Sequence, residues 1–116
     1  MANNFPPTVG GSVPKKEADI WIDDYDKEHR KDKDKDTKSV FFGKDILLEL
    51  LNQDGCTGIS FFLASKHSDY AQKKTVSLVL VGRKEDGTLL WGSDTGKDSG
   101  DPGTVDSGLA CPPVCS

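Results

Sequence analysis

Long hydrophobic runs are missing from this 116-residue chain. No stretch approaches the roughly 20 apolar residues that a membrane-spanning helix requires, so membrane insertion is not expected. A clustered excess of basic residues is missing too. The formal charge is −4 and the pI is near 5.0, whereas nucleic-acid binding needs Lys and Arg concentrated enough to neutralise phosphates. Met1 to Pro14 has neither a charged n-region nor an apolar h-region, which predicts a cytoplasmic protein by default, with export by a non-classical route left open.

Histidine is limited to His29 and His67. Neither falls in a nucleophile elbow, a His-Glu-x-x-His helix or any other catalytic context. No set of nucleophile, base and oxyanion donor is in view, so the chain is read as a non-enzyme with no catalytic residue, metal ligand or cofactor assigned. Cysteine is limited to Cys56, Cys111 and Cys115, and an odd count excludes a fully paired disulfide framework within one chain.

What is present is a single small domain between two irregular ends. Residues 1–13, with Pro6-Pro7 and Gly10-Gly11, read as an extended arm. From Pro14 onward Ala18, Trp21, Ile22 and Tyr25 recur at helical spacing, and Ser12 is a candidate cap. The alternating charges of Asp32 to Asp36 read as a solvated link. Ile46, Leu47, Leu50 and Leu51 then mark a second helix over 44–53, covered at its entry by Phe41 and Phe42 and stopped by Asp54-Gly55. Three strands follow: Ile59 to Leu63, Thr75 to Val81 as the central one, and Thr88 to Trp91 returning after an Asp86-Gly87 hairpin turn. This order predicts a two-layer α+β domain over 14–92, in which two helices pack on a three-stranded antiparallel meander and bury Trp21, Leu47, Leu50, Phe61 and Leu78 together. Residues 93–116, rich in Gly and Asp, read as a tail.

Several patterns invite chemistry. Asp32, Asp34 and Asp36 occupy the first, third and fifth positions of a calcium loop, but Thr37 stands where Gly is needed and Gly43 where a bidentate Glu is needed. Gly92 to Lys97 resembles a phosphate loop one residue too short, and Asp98 replaces the magnesium-holding hydroxyl. Asp94-Thr95-Gly96 matches the aspartic-protease tripeptide but lacks the preceding apolar strand. Cys56 reads as a small buried apolar residue. Cys111 and Cys115 flank Pro112-Pro113-Val114, and this pair can close a disulfide, grip zinc with the histidines, or link neighbouring chains, with Cys56 as a further candidate.

The order of segments, and above all Cys111-Pro112-Pro113-Val114-Cys115, resembles a group of small uncharacterised Bacteroidetes proteins with a C-terminal Cys-Pro-Pro-x-Cys motif. That resemblance implies an architecture and no activity. The expectation is therefore an interaction or self-assembly protein, a homo-oligomer or a larger assembly, whose terminal arms contact other protein chains. The alternative is a thiol-disulfide or zinc-binding protein acting through the terminal cysteines.

Overall fold

The β-branched run centred on Leu78 becomes the middle of a sheet because both of its faces are apolar. In the computed structural model, which describes residues 4–92 and 103–115, the elements in chain order are helix α1 (Lys15–His29), strand β1 (Ser39–Phe41), helix α2 (Lys44–Leu51), and strands β2 (Cys56–Ser68), β3 (Lys73–Lys84), β4 (Leu89–Leu90) and β5 (Leu109–Cys111). One antiparallel sheet has the order β2-β3-β4; a second, two-stranded sheet pairs β1 with β5. The α+β class and the three-stranded meander agree with the sequence expectation. The strands extend beyond their predicted bounds, and the stretch Ser65–Lys74, expected as a loop, is mostly strand around a turn at 69–72.

The chain divides into two compact units. The first contains residues 1–9, 42–64 and 78–108. Its core is Leu50 of α2, Leu80 of β3 and Val105, all buried, with Phe42, Ile46, Leu47, Ile59 and Leu78 packed against them. Full burial of side chains of this size is worth about 1.5–3 kcal/mol each. Val105 enters by pairing with Leu80, the two exchanging backbone hydrogen bonds of 2.9 Å in both directions. The Asp86-Gly87 hairpin forms as predicted, with register Gly82↔Leu90 and Arg83↔Leu89. Gly87 takes φ +99, and the Asp86 carboxylate accepts the Thr88 N–H at 2.9 Å. Gly82 sits in a crowded position: a Cβ there would stand 2.6 Å from Nε2 at the movable end of the Gln53 side chain and 3.3 Å from the Leu50 carbonyl.

The second unit contains residues 10–41, 65–77 and 109–116. β5 pairs with β1 in the register Ser39↔Cys111, Val40↔Ala110, Phe41↔Leu109, and Lys38 N–H donates to the Cys111 carbonyl at 2.7 Å. The 69–72 turn is pinned by Ser68, whose carbonyl accepts the Gln72 N–H and whose hydroxyl oxygen accepts the Ala71 N–H. The charged link is folded here rather than solvated. Arg30 is 5% exposed, and donates from Nε to the Asp36 carbonyl (2.8 Å), from Nη1 to Asp26 (3.0 Å) and from Nη2 to the Lys33 carbonyl (2.7 Å).

Four further expectations are corrected. Pro14, not Ser12, occupies the N-cap of α1, without a side-chain cap. Trp21 is 59% exposed and outside any core, because the inward side of α1 is set by the Asp26–Arg30 ion pair instead of the apolar stripe. Phe61 is 55% exposed. The residues read as arm and tail contribute structure where they are described: Phe5 donates its N–H to the Glu85 carbonyl, while Val105 and β5 belong to the units above. Gly92-to-Lys97 and Asp94-Thr95-Gly96 fall, apart from Gly92, outside the described residues.

Candidate functional site

Three features stand apart from simple scaffolding. The first is a consequence of lengths. α2 has eight residues, about 12 Å at 1.5 Å per residue, and β2 has thirteen, about 43 Å at 3.3 Å per residue. A helix that short covers only one end of the strand. Ile59 therefore packs against the core, whereas Phe61 and Leu63, which alternate with it on the same face, are 55% and 80% exposed. Phe62, on the opposite face, stacks on Trp91 at 5.7 Å between ring centroids, and both rings remain partly exposed. β2 is also an edge strand in the order of the described sheet.

The second feature is the terminal cysteine pair. Cys111, in β5, is 4% exposed and disulfide-bonded to Cys115, which is exposed. Their Cα atoms are 4.6 Å apart, and Val114 N–H closes the turn onto the Ala110 carbonyl at 2.9 Å. The two sulfurs of this pair stand at disulfide distance within one chain. Cys56 is a free thiol, half-buried, whose S–H donates to the Gly58 carbonyl at 3.1 Å. Cys56 belongs to the first unit, and Cys111 and Cys115 to the second.

The third is a cavity of about 330 Å³ in the first unit, where the arm meets β2 and β3. Phe5 is held by three groups: its N–H on the Glu85 carbonyl (3.1 Å), its carbonyl under the Thr57 hydroxyl (2.7 Å), and its ring beneath the Arg83 guanidinium at 4.3 Å. Sequence reasoning missed this site; the one available signal was a lone aromatic ahead of Pro6-Pro7 in an otherwise featureless arm.

The remaining candidates do not converge. His29 lies against half-buried Tyr25 and exposed Glu28, and His67 against exposed Asp69, and both histidines are exposed. Asp32 and Asp36 are used internally: the Asp36 carboxylate accepts the Asp32 N–H (3.0 Å) and pairs with Lys73 (2.8 Å), and Asp32 accepts the Asp34 N–H (3.1 Å). The Lys73 hydrogen bond holds the Asp36 carboxyl below the ordinary carboxylate range, as the Arg30 hydrogen bond does for Asp26. Among the described residues no group of three His, Cys, Asp or Glu side chains is placed to hold a metal, and no helix is long and apolar enough to cross a membrane. Comparison with models of protein families, with curated proteins and with solved structures finds no match to this chain.

Proposed function

We propose that this is a non-enzymatic interaction protein that assembles with other protein chains, copies of itself included. The observation that carries this reading is the stripe Phe61–Leu63 on β2, left uncovered by a helix too short to reach it. Exposed apolar residues scattered singly need no explanation, but neighbouring large ones on the face of an edge strand mark a contact surface. The contact is assigned to this sheet rather than to the arms because Phe5, Val105 and β5 are already engaged on their own chain. Kinship with the small Bacteroidetes group is supported by the terminal motif and brings no activity with it.

A second reading, thiol-disulfide exchange, is favoured by the asymmetry of the disulfide. An incoming thiolate would attack the exposed Cys115 sulfur, forming a mixed disulfide there while the S–S bond breaks and Cys111 leaves as a thiolate. Full reduction would free two thiolates, half of a four-ligand zinc site. Light scattering after size exclusion, with and without a dithiol reductant, separates the readings. Assembly through β2 gives an oligomer in both conditions; an oligomer lost on reduction, or a monomer whose disulfide turns over against a test disulfide, supports exchange and counts against assembly.

A further inference from the structure

The two arginines of the chain are treated differently. Arg30 is enclosed by three acceptors. Arg83, in β3, has the Phe5 ring beneath its guanidinium but a buried Nε with no hydrogen-bond partner, and among the described residues no carboxylate pairs with it. A buried donor left unpaired carries the full cost of its lost hydration. Among the described residues, Arg83 is the one charged residue that lines the cavity beside it. Pro6, Val9 and Ile59 give its walls an apolar part, and the Asn4 amide and the Thr57 and Ser60 hydroxyls give neutral polar groups.

We infer that this cavity is a binding site for a small carboxylate bearing a short apolar tail. The guanidinium fork matches a carboxylate in plane and charge, so a ligand carboxylate would meet the cation that lines the cavity. The cavity lies in the size range of small-molecule sites. Among the described residues no acidic side chain lines it, so none of them competes for the guanidinium. One cation against partly apolar walls suits a monoanion with a tail better than a phosphate dianion, which is ordinarily met by several donors or cations. The site is independent of the assembly reading, because it uses the arm and the β2–β3 end of the first unit rather than the Phe61–Leu63 stripe.

The test is an NMR titration of the full chain that follows backbone amides and the Arg83 Nε–H resonance, with hexanoate, acetate, hexanol and inorganic phosphate as separate probes. Hexanoate is expected to shift Arg83 Nε–H together with the Gly58 and Ser60 amides, saturably, and to bind about tenfold or more tightly than acetate or hexanol. Arg83→Gln is expected to lose at least about tenfold in hexanoate affinity. Arg83→Lys keeps the cation over Phe5 and so guards against simple release of the arm; it is expected to fold as the parent does and to bind more weakly. Hexanol equal to hexanoate, phosphate tighter than hexanoate, shifts scattered over surface lysines, or affinity unchanged in both variants would overturn the assignment.

Discussion

Arg30 shows how much a single residue organises in a segment that reads as uniform charge. Its three donors fix the end of α1, the carbonyl of Lys33 and the carbonyl of Asp36. Arg30→Ala removes the donor to two carbonyls and leaves the Asp26 carboxylate only the longer Lys38 contact at 3.9 Å, and is expected to destabilise by about 2–4 kcal/mol in urea denaturation, with Arg30→Lys recovering part of the loss. The same cluster gives a pH dependence. Asp26 and Asp36 have folded-state pKa values below those of the unfolded chain, so their contribution is complete above the unfolded carboxylate value near about 4 and is lost as pH falls through the lower folded values. The urea midpoint is expected to decline on acidification from about pH 5 to about pH 3, and the decline to be smaller in Arg30→Ala, where the largest of the groups that depress Asp26 is gone. No feature of the sequence distinguished Arg30, because an arginine among alternating Asp and Lys is ordinarily a solvated side chain.

At the level of elements, legibility followed the range of the signal. α2, β3 and the Asp86-Gly87 hairpin are each specified by residues close in sequence: an apolar stripe, a β-branched run, and a dipeptide suited to positive φ. β1, β5 and the Val105 bridge were not legible. Ser39 meets Cys111 and Leu80 meets Val105, across stretches of chain whose Gly and Asp content describes a tail, and pairing at such separation leaves no local periodicity. α1 was legible as a helix and misleading as a core element, since its apolar spacing said nothing of the ion pair that turns it. The consequence of these long-range pairings is testable. Val105→Ala removes buried volume from the Leu50–Leu80 cluster and should cost about 1–3 kcal/mol, as a core truncation does; a change below about 0.5 kcal/mol, the level of an exposed position, would show that the segment does not seal the core. The terminal disulfide closes a ring spanning a sequence separation of four, so the loop-entropy model limits its contribution to about 2 kcal/mol.

For the whole molecule, the mismatch between a short helix and a long strand is the feature that turns structure toward function. β2 extends past the short helix α2, and what remains is an apolar face on an edge strand. Charge does not oppose association, because the net −4 is small and the acids are interleaved with bases. Of this candidate surface, the alternating residues of β2 were visible in the sequence but read as interior; only the length of α2 against β2 shows that they are not. The most direct test is sedimentation velocity over a concentration series, comparing the parent chain with Phe61→Ser/Leu63→Ser, folding of both being checked by circular dichroism. The account predicts that the parent sediments faster as concentration rises while the double variant stays monomeric with its fold intact; a parent that is monomeric throughout, or a folded variant that associates equally well, would contradict it.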